Sequence, residues 1–141
     1  MNSTNEWTFQ SSGNLAAWTN WDSGQPDNYG GNLEDCSVAW NPSDFKWHDD
    51  RCIYSHKSIC EYVPKLFDCE GMGSNYAFIL GNCYYMEETA NEYANASRNC
   101  EDKFGAHGYG KLFEPKNKYM NDKVIQVARE IITTSEKYVI N

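Results

Sequence analysis

Oxygen-bearing side chains that could act together are concentrated between Trp18 and Cys36, where Gln25, Asp27 and Glu34 surround Pro26 in a loop rich in glycine and asparagine. Thirteen residues beyond Glu34, the run Trp47, His48 and Asp49 precedes a second cysteine, Cys52. A hard cation such as calcium takes roughly six to eight oxygen ligands, and a loop of carboxylates and amides can wrap around it. Taken alone, Gln25, Pro26 and Asp27 would mark only a solvated turn. Their placement ahead of Glu34 and of Asp49 favours a ligand role. Nothing comparable points to catalysis: the sequence has no Ser-His-Asp ordering, glycine-rich phosphate loop or zinc-binding helix motif.

A chain of 141 residues is one domain by size. Its formal charge of −8, with no stripe of lysine and arginine to offset it, argues against nucleic acid as a partner. Acidity suits a cation-binding protein, although it also serves solubility. The longest apolar run, residues 76–80, is far too short to span a bilayer, so no membrane insertion is expected. The six cysteines, Cys36, Cys52, Cys60, Cys69, Cys83 and Cys100, are even in number and lack the paired Cys-x-x-Cys sites that zinc prefers. Three disulfides in a secreted, extracellular protein are therefore expected. Sequons at Asn2 and Asn95 fit a secreted glycoprotein but carry little weight in so asparagine-rich a chain.

The elements that must position the loop are short strands in the first half: residues 6–9, 36–40 and 57–62, with a turn at 41–44. Residues 63–66 form a connector. The second half opens with strands at 76–80 and 82–87 and then turns helical. Thr89 and Glu92 have capping-box spacing, and Tyr93, Ala96, Cys100 and Phe104 follow at helical intervals up to Gly105. A second helix is predicted over 117–132, with Tyr119, Val124, Val127, Ala128 and Ile131 on its apolar side, and a strand starts at 137. Trp21, Trp40 and Trp47 are expected in the core, and His56 and His107 on the surface.

These motifs resemble the C-type lectin family, in its Gln-Pro-Asp version. The Gln25-Pro26-Asp27 loop, Glu34-Asp35-Cys36, Trp47-His48-Asp49 and Ile59-Cys60-Glu61-Tyr62 look like the second half of such a domain. Cys83-Tyr84 and the helix-borne Cys100 look like its first half. The resemblance covers nearly the whole chain in reversed order: residues 1–62 resemble the family's C-terminal half and 67–141 its N-terminal half. It implies an α+β, C-type lectin-like fold, with two helices flanking antiparallel sheets, a long calcium loop and a circular permutation. It also implies the pairs Cys36–Cys52, Cys60–Cys100 and Cys69–Cys83, each contributing on the order of 3 kcal/mol. Close termini tolerate permutation, yet here the new break falls inside a strand motif. Three arrangements stay open: a true permutant, a fragment straddling two tandem domains, or chains that complete each other's domains.

By the same resemblance, Gln25, Asp27, Glu34 and Asp49 match calcium ligand positions, and Pro26 would be cis. The family has asparagine at position 48; His48 offers nitrogen, a poor partner for a hard cation. His48 stands at a metal position, but calcium would bind through the remaining oxygens, more weakly, with Asp50 or water filling in, or His48 would instead hydrogen-bond a sugar hydroxyl. Gln-Pro-Asp implies galactose or N-acetylgalactosamine, bound jointly by Gln25, Asp27, Glu34, His48 and Asp49, with Tyr29 against the sugar's apolar face. The expected partners are galactose-type glycans or glycoproteins, and multivalency implies an oligomer or multidomain array. An auxiliary calcium site at Asn2, Asn5, Glu6 and Asp35 is not expected. The alternative is a lectin-like domain without sugar binding, with a structural or adhesive role and head-to-tail exchange of halves.

Overall fold

The computed structural model describes residues 6–63, 69–132 and 137–140. Among the described residues, seven strands form one sheet: β1 (Cys36–Trp40), β2 (Lys46–Asp50), β3 (His56–Tyr62), β4 (Tyr76–Ile79), β5 (Asn82–Asn91), β6 (Gly110–Leu112) and β7 (Lys137–Ile140). Their order is β2-β1-β7-β3-β5-β4, with β6 also paired to β3. All pairs are antiparallel except β3 with β7, which run parallel through Lys57 with Tyr138 and Ser58 with Val139. The chain thus has one mixed sheet where separate antiparallel sheets were expected.

Strand alternation sends successive side chains to opposite faces, and it assigns the sheet two cores. Ile59, Met86, Tyr138 and Ile140 pack with Val124, Ile125 and Ala128 of helix α2 (Lys118–Ile131). Cys60, Val139 and Leu112 pack on the other face with Ala96 and Cys100 of helix α1 (Tyr93–Glu101). The three expected disulfides are all formed, and no cysteine is free.

Several local expectations need correction. Residues 6–9 contribute only an isolated bridge, Thr8 with Leu15. Thr89 does not cap a helix, because β5 runs on to Asn91, which pairs with His56, and the Thr89 N–H donates to Glu87. Glu92 takes the N-cap position, and α1 stops before Gly105, at Asp102. Asn117 does cap α2, accepting from the Met120 N–H at 2.8 Å. On α2, Tyr119 is exposed and the buried stripe is Asn121, Val124, Ile125 and Ala128, because Asn121 accepts a bond from the Trp47 indole. Trp47 is buried, whereas Trp21 and Trp40 are half-buried. Residues 64–66 of the connector, Asn2, Asn5 and Asn141 lie outside the described residues.

Two positions carry tests of this packing. A Cβ on Gly110 would lie 2.4 Å from the Cys100 carbonyl oxygen and 2.7 Å from the Phe104 ring. Gly110→Ala is therefore expected to cost about 2–3 kcal/mol, read as a lower urea midpoint at constant slope. Buried Glu61 and Glu114 share Lys111, whose Nζ is 3.5 Å from Glu61 and 2.9 Å from Glu114. Glu114 also receives Ser11 and Lys116, so these donors outweigh burial and hold its carboxyl below the usual range. Burial pushes Glu61 up to about 7, against the opposing pull of Lys111.

The folded Glu61 pKa therefore lies above its ordinary value of 4.5. The folded state holds the extra proton between these two values, so stability falls as pH rises through that window. Glu61→Gln is expected to remove this fall, on the order of 3 kcal/mol, when unfolding is followed by urea from pH 4 to 8.

Candidate functional site

The loop is anchored from its base. Trp47 in β2 bridges to Trp21; its N–H donates to the Asn20 carbonyl at 2.8 Å and its carbonyl accepts from the Asp22 N–H at 3.0 Å. Trp18 and Trp21 pack edge-on to the Trp47 ring. The Gln25 N–H then donates to Asp22, and a cis peptide bond joins Gln25 to Pro26 as expected. Beyond it, Asn28 adopts a left-handed φ of 45°, and Gly30 and Gly31 have φ of 69° and 74°. Three left-handed residues within four positions turn the chain back tightly, and the two glycines bear that conformation without a Cβ penalty.

This turn brings backbone donors onto the carboxylates. Asp49 accepts from the N–H groups of Asp27 and Asn28 at 3.0 and 2.8 Å, and Glu34 accepts from that of Tyr29 at 3.0 Å. The Asn28 side-chain oxygen accepts in turn from the Glu34 N–H. Carboxylate oxygens of Asp27, Glu34 and Asp49 all lie within 4.8 Å of one another. Burial pushes the Glu34 carboxyl up, with repulsion from Asp49, Asp50 and Asp27 adding to it and the Tyr29 N–H opposing it.

A cavity of about 320 Å³ opens over this triad, lined by Gln25, Asp27, Tyr29, Glu34, His48 and Asp49. The structure therefore brings together all six site residues expected from the sequence. Tyr29 projects at its rim, 76% exposed. The Gln25 Oε1 atom is buried and accepts no hydrogen bond. An orphaned amide oxygen beside three converging carboxylates fits a calcium ion, whose ligands are oxygens of this kind.

His48 is engaged elsewhere: its Nε2 lies 3.1 Å from both Asp22 Oδ2 and Ser43 Oγ, and its ring meets Trp40 edge-on. Hydrogen bonds from Ser43, the Ser23 N–H and His48 hold Asp22 below the usual range. Asp50, considered above as a substitute ligand, pairs with Lys137 and His56, each at 3.0 Å. Burial would raise its pKa, but these bonds and the Arg51 N–H outweigh it and hold the carboxyl at about 2. His56 is consequently half-buried in this network and not a free surface side chain, whereas His107 is exposed.

Sequence reasoning missed four contributors: Asn28, Trp40, Ser43 and Lys137. Asn28 had a signal, since asparagine in a glycine-rich loop suits left-handed backbone. Lys137 had none; β7 delivers it to the cavity from the far end of the chain.

Among known proteins, mouse C-type mannose receptor 2 is 31% identical over 102 residues, 69% of this chain, and its human counterpart matches equally. The C-type lectin lectoxin-Enh2 of Pseudoferania polylepis is 37% identical over 58 residues, 40% of this chain and 49% of that lectin. The matched stretch is only 7% of the length of the mannose receptors. No family model and no solved structure matches the chain. Among the described residues, no helix is long and apolar enough to cross a membrane. With two helices, a sheet and three disulfides the chain has a C-type lectin-like fold, and these similarities support a C-type lectin-like domain.

Proposed function

We propose that the chain binds calcium through Gln25, Asp27, Glu34 and Asp49, and through that ion a galactose-type sugar. The observation that carries this is the unpartnered Gln25 Oε1 beside the three carboxylates, in a cavity open to ligand. When bound, calcium would supply a positive, oxygen-seeking centre for the sugar's hydroxyls. Around it, the chain's residues do the selecting. Gln25 and Asp27 set which side of the site donates and which accepts hydrogen bonds. Tyr29, almost fully exposed, offers a ring against the apolar face that an axial 4-hydroxyl leaves on galactose. His48, fixed by Asp22 and Ser43, forms part of the wall.

The related receptors are named for mannose, and the Gln-Pro-Asp sequence is our reason to favour galactose instead. We read the chain as a secreted, non-enzymatic domain of permuted order, residues 1–62 before 67–141, whose weak single sites act multivalently. His48's bonds to Asp22 and Ser43 favour the second reading, a lectin-like surface for a protein ligand, because they turn this position away from the carboxylate cluster.

Immobilised galactose and mannose separate the readings. Retention on galactose in calcium, release by a chelator and at least about tenfold weaker retention on mannose, a difference of about 1.4 kcal/mol, are expected. Passage through both columns would sink the sugar reading.

A further inference from the structure

Carboxylates gathered as closely as Asp27, Glu34 and Asp49 repel one another, so hydrogen bonds from the surrounding chain must oppose that repulsion before any cation is bound. The three residues come from different places. Asp49 lies on β2, whereas Asp27 and Glu34 stand at either end of the loop above it. The cluster therefore forms only if the loop is tied both to the strand and to itself.

One residue makes both ties. The Asn28 N–H donates to Asp49 Oδ2 at 2.8 Å, and the Asn28 side-chain Oδ1 accepts from the Glu34 N–H at 3.1 Å. Its carbonyl oxygen accepts from the Gly31 N–H at 2.9 Å, within the turn that carries the chain from one end of the loop towards the other. The arrangement uses a left-handed backbone, φ 45° and ψ 55°, which asparagine and aspartate reach more readily than other residues with a side chain. The cavity is lined by the neighbours Asp27 and Tyr29 and not by Asn28. Asn28 thus acts on the site through the residues it holds.

We propose that Asn28 is a positioning residue of the cation site, setting where the Glu34 and Asp49 carboxylates stand relative to each other before the ion binds. The proposal rests on the calcium reading above and adds to it a determinant of affinity. Losing a group that orients metal ligands typically weakens metal binding about 10–100-fold, because binding must then include the ordering of the ligands.

The test uses the full-length, oxidised chain as wild type, Asn28→Gly and Asn28→Asp. Glycine keeps the left-handed backbone and deletes the side-chain acceptor; aspartate keeps both. Calcium chloride is titrated into each by calorimetry, and amide hydrogen exchange is read by nuclear magnetic resonance in a chelator. In Asn28→Gly, calcium binding is expected to weaken at least about tenfold. Without calcium, its Glu34 amide is expected to exchange roughly fivefold faster, while the amides of β1 and β3 keep their protection. Asn28→Asp is expected to keep the Glu34 amide protected and to bind calcium at least as tightly as wild type. Equal calcium affinity in Asn28→Gly and wild type overturns the proposal alone, as does an Asn28→Asp protein that behaves like Asn28→Gly. A wild type that takes up no calcium overturns the calcium reading and this proposal with it.

Discussion

Asp49→Asn is expected to weaken calcium binding by roughly 100-fold while leaving the fold intact, because ligand charge count tunes such sites over several decades. The Asp27 and Asn28 N–H groups bond the two Asp49 oxygens separately, so asparagine keeps an acceptor for one of them and turns its NH2 towards the other. It removes one of three carboxylates whose oxygens converge within 4.8 Å. The loss is thus one of charge and of one hydrogen bond to the loop, with the side-chain shape kept. Titration followed by Trp40 fluorescence is a direct readout, since that ring lines the cavity. Thermal unfolding gives a second one: calcium at about 100 times its dissociation constant should stabilise the native protein by about 2.7 kcal/mol and leave the variant nearly unchanged. Equal calcium responses in the two proteins would place the ion elsewhere, or nowhere.

Much of this site was legible in the sequence, because its chemistry sits in two short segments joined by cysteines. Gln25, Asp27 and Glu34 lie in one loop, and Asp49 lies on the strand across from β1, where Ser37 is its register partner. The cysteine pairing followed from the family resemblance and from nothing simpler, since six cysteines permit many connectivities. What stayed hidden was set by long-range contacts. Thr89 has a capping-box neighbour at Glu92, yet the ladder to β3 extends β5 past it and overrides the local preference. Tyr119 has the spacing of a core residue, but the polar Asn121 takes the buried place because Trp47 offers it a hydrogen bond. His56 reads as a surface residue until β7 brings Lys137 to the same carboxylate of Asp50. Each of these misses is a residue whose partner lies far away in sequence.

The second large effect concerns the covalent clamp between the two halves of the chain. Cys60 and Cys100 are fully buried and bridge strand β3 to helix α1 over a sequence separation of 40 residues. Closing a loop of that length removes unfolded-state entropy worth about 4 kcal/mol. A Cys60→Ala, Cys100→Ala double variant is therefore expected to lose about that much, a large share of the roughly 5–15 kcal/mol total of a domain this size. The Cys36–Cys52 bridge closes 16 residues and should contribute about 1 kcal/mol less by the same relation. The ranking is the sharper claim, because it cancels much of the model dependence in each absolute value. Urea unfolding of the two double variants measures it. A smaller loss from the Cys60–Cys100 pair would mean that β3, with partners along both edges, is already held to the other half without its disulfide.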